Sequence, residues 1–320
     1  MCYFFINVHC QNNALITSGK EDGTIIQWIS QYPPIQNNSR NSFLKSLFDI
    51  IFGTKIPEIK KPISVYACNP DSLWIVDQGN RFILEVKGGK GKIPFDIKDW
   101  QGSLSSLVGI CSIGDNEILF TDSRENKLFK LLVDSEKVII INDSIELMQT
   151  TGIAYSKESN KIWLVETAAH RISILDLNGK LIERIGKRGN DPGEFNFPTS
   201  IWIDKEGYAY IVDALNYRIQ IFDKNGNFIS LFGEIGDSPG YFARPKGIAT
   251  DSYGNIYITD ALFHVVQIFD KSGNFLYRFG SQGRGKEQFW LPSGIFIDDN
   301  DYIYIADSYN ARIQIFRIVK

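Results

Sequence analysis

The sequence predicts an all-β fold, a six-bladed β-propeller of four-stranded antiparallel blades that is closed by an N-terminal strand. Two observations indicate this fold. Residues in the C-terminal half recur every 47 positions, as Pro198, Pro245 and Pro292 show, and each period contains short apolar runs separated by turns. A fixed period of this length is typical of a fold built from repeated units, each of which buries its apolar faces against its neighbours.

The apolar runs have the composition of β-strands. One repeat contains "SIWID", "YAYIVD" and "RIQIFD", which are rich in Ile, Val, Tyr and Phe and are too short for helices. Turns such as "DKEG" and "DKNGN" separate them and place Asp and Gly where tight antiparallel hairpins need these residues. Four antiparallel strands in about 47 residues are typical of one propeller blade.

An acidic residue closes the second strand of each repeat, and this residue extends the frame upstream. The spacings between successive acids are 45, 44, 47, 47 and 47 residues, which predicts six blades. The six acids are Asp77, Asp122, Glu166, Asp213, Asp260 and Asp307.

We expect the sixth blade to take its fourth strand from elsewhere in the chain, because the given sequence ends at Lys320, just after "RIQIF". We expect "TIIQWIS", which begins at Thr24, to supply this strand and to cover two sheet edges that would otherwise promote aggregation. The predicted division of the chain is a tail over residues 1–22, a closing strand, polar linker and short helix over 23–56, and the propeller over 57–320.

The repeated motifs resemble those of NHL repeats. They are "P-x-GI-x-x-D", "G-x-IY-(I/V)-x-D", "N-x-RIQ-(I/V)-FD" and "G-x-F-x-x-x-FG-x-x-G", and the match is strongest over residues 185–318. The resemblance implies a six-bladed propeller, bacterial in type, whose glycine-rich loops and second-strand loops share one face. We refer to this face as the loop face. Members of this family act mostly as binding platforms for proteins, RNA or sugars, while related six-bladed propellers include metal-dependent lactonases and an amidating lyase.

Composition and charge exclude several classes of function. The net charge of −3 lacks the excess of basic residues that a nucleic-acid-binding protein needs, so no nucleic-acid partner is expected. No apolar run is long enough to span a membrane. The N-terminus lacks a complete signal peptide, which predicts a cytoplasmic protein as the chain is written and an exported one if the true start lies upstream. No cofactor is expected, and the sequence predicts no oligomeric state.

The repeated acids have a structural interpretation and a functional one. A basic residue follows five positions after four of the acids, for example Arg218 after Asp213 and Arg312 after Asp307, which predicts an ion pair within each loop. Asp260 has Val265 at that position and lacks this partner. A ring of acids could instead hold a cation. His170 and His264 occupy equivalent positions two blades apart and do not make a metal site, so no metal ligands are assigned.

A binding surface is predicted where the repeats differ at equivalent loop positions. We expect one patch in which three aromatic residues act as anchors and two residues make polar contacts. These residues are Tyr217, Phe263 and Tyr309, with Lys246 and His264.

The predicted function is a non-catalytic scaffold that presents the loop face to a protein or glycan partner. The alternative is a metal-dependent hydrolase or lyase, similar to a lactonase, with its site in the central channel. Such an enzyme needs Asp, Asn, Glu or His side chains that converge on the channel, but the innermost strands are mostly apolar or small, as in "GICSI" and "GIAYS". Single-stranded RNA binding is a third hypothesis, which the charge balance of the loops disfavours.

Overall fold

A computed structural model of the protein contains six four-stranded antiparallel sheets around a central channel, as the sequence predicts. The structure describes residues 25–35, 57–95, 104–114, 116–142 and 145–319. The predicted tail and the predicted short helix lie outside these residues. Within the described ranges, helical structure is limited to two 3-10 turns, and no helix has the length and apolarity that crossing a membrane requires.

The blades follow one another along the chain, and in each blade the first strand lies innermost. Blade 1 contains β2 (Pro62–Asn69), β3 (Ser72–Asp77), β4 (Phe82–Lys87) and β5 (Lys90–Lys92). Blade 2 contains β6 (Leu107–Ser112), β7 (Glu117–Asp122), β8 (Lys127–Leu132) and β9 (Lys137–Ile140). Blade 3 contains β10 (Thr150–Ser156), β11 (Lys161–Glu166), β12 (Arg171–Leu175) and β13 (Leu181–Ile185).

The three regular repeats form the remaining blades. Blade 4 contains β14 (Pro198–Ile203), β15 (Ala209–Asp213), β16 (Arg218–Phe222) and β17 (Phe228–Phe232). Blade 5 contains β18 (Pro245–Thr250), β19 (Ile256–Asp260), β20 (Val265–Phe269) and β21 (Phe275–Phe279). The short strands β22 (Ser281–Gln282) and β23 (Gln288–Phe289) pair in parallel before blade 6. Blade 6 contains β24 (Pro292–Ile297), β25 (Tyr302–Asp307), β26 (Arg312–Val319) and the N-terminal β1 (Ile25–Tyr32).

The core of the protein lies between the blades. Each of the six junctions between neighbouring blades contains its own cluster of buried apolar side chains. The second and third strands are therefore covered on both faces, which explains why they read as nearly continuous apolar runs. Phe195, Phe242 and Phe289 of the glycine-rich loops are fully buried at three of these junctions.

Those phenylalanines explain the repeated glycines. Gly233 has φ +95°, a left-handed conformation that side chains rarely adopt, and a Cβ built there would lie 2.3 Å from the ring of Phe242. Gly186 and Gly280 meet Phe195 and Phe289 in the same way. Each glycine thus allows the loop to pass over the aromatic ring that it covers.

The N-terminal strand closes the ring, which confirms the prediction from sequence. β1 pairs with β26 in antiparallel register, from Ile25 opposite Val319 to Tyr32 opposite Ile313. The indole Nε1 of Trp28 also donates a hydrogen bond to Gln314 Oε1 at 3.0 Å. Sixth-blade closure therefore depends on residues nearly 300 positions apart in the chain.

Deletion of residues 1–33 should lower the melting temperature strongly and cause aggregation, because it removes β1 and exposes the edge of β26. Deletion of residues 1–22 is the matched control, since it retains the whole of β1. Differential scanning calorimetry and light scattering would measure both effects. Equal melting temperatures for the two truncated proteins would contradict the closure by β1.

Candidate functional site

A buried carboxylate ends the second strand of every blade. All six side chains have no exposed surface. Each accepts a hydrogen bond from the backbone N–H of the residue that lies two positions before the innermost strand. The donors are Lys60, Ser105, Met148, Asn196, Ala243 and Trp290. The carboxylate therefore fixes the segment that enters the central channel.

The predicted ion pair forms in blades 3, 4 and 6. Arg218 Nε lies 2.8 Å from Asp213 Oδ2, and Arg312 Nε lies 2.7 Å from Asp307 Oδ2. In blade 3, Arg171 Nε donates to Glu166 Oε1 at 2.8 Å. Burial opposes ionisation of Glu166, but hydrogen bonds from Arg171 and Ser173 outweigh burial and lower its pKa.

Asp260 is satisfied without an arginine. It accepts hydrogen bonds from the backbone N–H groups of Ala243, Arg244, Leu262 and Phe263 at 2.8 to 3.2 Å. The loops of blade 5 thus hold the same carboxylate with neutral donors. The ring of acids is accounted for by local hydrogen bonds.

The residues of the predicted binding patch have different environments. Tyr309 is 55% exposed, and the Lys61 ammonium lies 5.8 Å from the centre of its ring. Tyr217 is half-buried against the cluster between blades 4 and 5, and Phe263 is also half-buried. His264 Nδ1 accepts the backbone N–H of Leu291 at 3.0 Å, and burial lowers the pKa of this imidazole.

His264 has a structural counterpart in blade 3. His170 Nδ1 accepts the N–H of Phe197 at 3.1 Å, so both histidines join one blade to the next glycine-rich loop. Both also have φ values in the left-handed region. Within the described ranges, no group of three or more His, Cys, Asp or Glu side chains is placed to hold a metal ion.

Two exposed leucines were not predicted from the sequence. Leu215 is 50% exposed and Leu262 is 53% exposed, and both occupy the position of Tyr309, two residues after the repeated acid. The signal that identifies them is this shared register. A prediction that takes only aromatic residues as anchors does not include the two leucines.

Lys246 lines the central channel and is set apart from the other four predicted residues. The reason is a β-bulge. Lys246 and Gly247 together oppose Thr259, because the pairing shifts between Pro245 and Ile248. The same irregularity occurs near the start of all six innermost strands. It places the second residue of each strand, including Lys246, in the wall of the channel.

The channel contains a chamber of about 370 Å³, within the size range of sites for small molecules. Residues of all six innermost strands line it. Tyr66, Trp202 and Phe296 lie at its inner end, because they also border a second cavity of about 830 Å³ on the hairpin side of the ring. Phe296 contacts the other two rings edge to face, with centroids 5.1 Å from Tyr66 and 5.4 Å from Trp202. We call these three residues the aromatic floor.

The ammonium of Lys246 is in an unfavourable environment. Burial, with smaller contributions from the positive charges of Arg244 and Lys61, lowers the pKa of Lys246 to about 8. In the part of the chain that the structure describes, no acidic side chain lines the chamber. The folded protein therefore holds a cation near other cations in a partly buried position.

A family described as "6-bladed beta-propeller" matches residues 114–219 and 250–318, which is more than half of the chain. The chain belongs to this family. The match runs from β7 in blade 2 to the start of β16 in blade 4, and from the end of β18 in blade 5 into β26 in blade 6. It does not bear on the resemblance to NHL repeats, which stays a prediction.

Solved structures with the same fold have varied functions. An auxiliary nutrient binding protein from Bacteroides thetaiotaomicron is 15% identical, with a TM-score of 0.65 over 82% of this chain and 70% of its own. Virginiamycin B lyase from Staphylococcus aureus is 14% identical, with a TM-score of 0.59 over 81% of this chain and 96% of its own. A gluconolactonase from Xanthomonas campestris is 12% identical, with a TM-score of 0.62 over 83% of this chain and 88% of its own. At these identities the likeness establishes the propeller fold alone.

The substitution Asp213→Asn should destabilise this propeller more than Asp260→Asn does. At position 213 the substitution leaves the buried Arg218 guanidinium without its counter-ion, which typically lowers the free energy of unfolding by about 3–5 kcal/mol. At position 260 only backbone N–H groups lose a charged acceptor, so the loss should be smaller, about 1–3 kcal/mol. Urea unfolding of both variants would measure the difference. Equal losses would contradict the importance of the ion pair.

Proposed function

We propose that this propeller is a non-catalytic binding protein whose loop face contacts a protein partner. The observation that carries the proposal is the alignment of Leu215, Leu262 and Tyr309 on three successive blades, each at least half exposed. We call these three residues the apolar arc. Exposed apolar residues at one repeated position have no role in the blade cores, which form without them.

The arc makes the loop face asymmetric. Blades 1 to 3 have Gly79, Arg124 and Ala168 at the position that the arc occupies in blades 4 to 6. Ile235, in the glycine-rich loop between blades 4 and 5, is 64% exposed and adds to the apolar side. A partner that buries large apolar side chains would therefore contact one half of the ring and leave the other half exposed.

The chemistry of the arc favours a protein over a glycan. Sugars pack best on the faces of aromatic rings, and Tyr309 is the one aromatic side chain in the arc. Its ring already lies near the ammonium of Lys61. Exposed leucine and isoleucine side chains that form a patch instead mark a surface that contacts another protein.

A metal-dependent hydrolase or lyase is the alternative that the fold allows. Such an enzyme needs carboxylate or imidazole ligands that converge on one point. The residues that line the chamber in the described structure include no Asp, Glu or His, and Lys246 would repel a cation there. The donor set of the channel therefore supports binding over metal-assisted catalysis.

The triple variant Leu215→Ser, Leu262→Ser, Tyr309→Ser should lose its partner but keep its melting temperature. Cross-linking in the native cells, followed by mass spectrometry, would identify proteins enriched with the wild type. The matched control is Ile182→Ser, Ile229→Ser, Leu276→Ser, which changes three similarly exposed residues on the outermost strands of blades 3 to 5.

The proposal requires that the control retains the partner and the arc variant loses it. Retention by the arc variant would contradict it. Binding of the wild type to a glycan array, with no protein enriched, would favour the glycan interpretation of the loop face.

A further inference from the structure

We infer that the central chamber is a second binding site, separate from the apolar arc, for a small carboxylate with an aromatic body. Lys246 would bind the carboxylate near the loop face, and the aromatic floor would contact the ring. The charge of the chamber, its polar groups that lack partners in the described structure and the placement of its aromatic residues support this site. It does not depend on the protein partner proposed above.

The charge of the chamber selects an anion. Lys246 carries the one formal charge among the described residues that line the chamber. Its ammonium has no hydrogen bond or ion pair to any residue in the described ranges. Arg244 and Lys61 lie near it and add positive potential. An anion that reaches the chamber would supply the counter-charge that the fold leaves out.

The fold does not require a lysine at this position. The other five innermost strands have neutral residues there, namely Ile63, Val108, Thr151, Thr199 and Ser293. All six strands nevertheless contain the same bulge and pack in the same ring. A desolvated charge that lowers stability, where neutral residues build the same structure, is typical of a functional site.

A second polar group lines the chamber on the blade next to that of Lys246. Thr199 occupies the equivalent position on the adjacent blade 4, and its Oγ1 is buried without a hydrogen-bond partner in the described structure. A buried hydroxyl without a partner loses about 1–3 kcal/mol of hydrogen-bond energy. A carboxylate has two oxygens, so a ligand that pairs with the Lys246 ammonium would have a second oxygen available for this hydroxyl.

The aromatic floor indicates the rest of the ligand. Tyr66, Trp202 and Phe296 each stand three residues after the second position of their strands, which is roughly 10 Å further along the channel. Trp202 is held in place by a hydrogen bond from its Nε1 to Thr250 Oγ1 at 2.8 Å. An aromatic ring would meet their edges in the arrangement that these side chains already adopt with one another.

Phosphate and metal ions fit the chamber less well. A phosphate dianion is usually bound by several basic groups or by a row of backbone N–H groups, and one lysine supplies a single charge. A metal cation would be repelled by Lys246. Neither ion would make use of the aromatic floor.

Calorimetric titration with matched probes tests the inference. The probes are indole-3-acetate and phenylacetate, their neutral amides, and the cationic tryptamine. At pH 7 each acid should bind wild-type protein at least tenfold more tightly than its amide, because the carboxylate pairs with Lys246. Lys246→Met should remove this discrimination, whereas Lys180→Met, which changes an exposed lysine, should preserve it.

A change of pH provides a second readout. Between pH 7 and pH 9 the acids should lose about tenfold in affinity, because Lys246 passes through its lowered pKa while the amides are unaffected. The titratable groups that also line the chamber are Tyr66, Cys111 and Tyr155. Burial raises the pKa of Tyr66 to about 12 and also raises the pKa of the Cys111 thiol, while the Tyr155 hydroxyl donates to Asn160. Arg244 and Lys61 are the charged groups near Lys246.

A substitution in the aromatic floor tests the contact with the ring of the ligand. Trp202→Ala should weaken the acid and the amide by the same factor, because both lose the aromatic contact and the charge pair remains. Circular dichroism and the melting temperature would establish that each variant is folded. The increase in the melting temperature of the wild-type protein on addition of each acid provides a measurement of binding that needs no substitution. Equal affinity of acid and amide, a preference for tryptamine, or no binding of either acid at 10 mM would overturn the inference.

Discussion

The structure depends on one hydrogen-bonded contact that recurs in every blade. A fully buried carboxylate at the end of the second strand accepts the N–H two residues before the innermost strand. This contact joins residues 17 or 18 positions apart and sets where the chain turns into the channel. Arginine reinforces it in three blades, while backbone N–H groups suffice for Asp260. The contact between the carboxylate and the backbone is therefore the same in every blade, although the other groups that donate hydrogen bonds to the carboxylate differ.

Because the carboxylate fixes the start of each innermost strand, it also fixes the bulge that follows and the residues that line the channel. Six equivalent positions then face one chamber, and substitution at one position changes the chamber without changing the blade. Lys246 and Trp202 are residues that differ from those of other blades in this way and shape the chamber. The residues of the apolar arc differ between blades in the same way and shape the loop face. In this propeller the repeats supply the framework, and the differences between repeats supply the candidate sites.

The sequence predicted the framework well because each blade is built from local pairings. The period of 47 residues, the repeated acids and the donor strand at Thr24 were sufficient for six blades and their closure. The candidate sites were harder to predict. The position of Lys246 depends on a bulge that carries no residue signature of its own. The aromatic floor joins residues from blades 1, 4 and 6, which meet only after the ring has closed. Leu215 and Leu262 are apolar residues in a chain rich in them, and only their exposure distinguishes them.

The candidate site in the channel depends on Lys246 being a cation without a counter-ion among the described residues. Nuclear magnetic resonance titration of the protein labelled with ¹³C at the lysine ε-carbon would measure the charge state of Lys246, with its signal assigned by its loss in Lys246→Met. We expect a pKa of about 8 for Lys246 in the absence of ligand, and an upward shift of this pKa when indole-3-acetate is added. A pKa near the usual value of about 10.4 would contradict it, since the ammonium would then be solvated or paired within the protein.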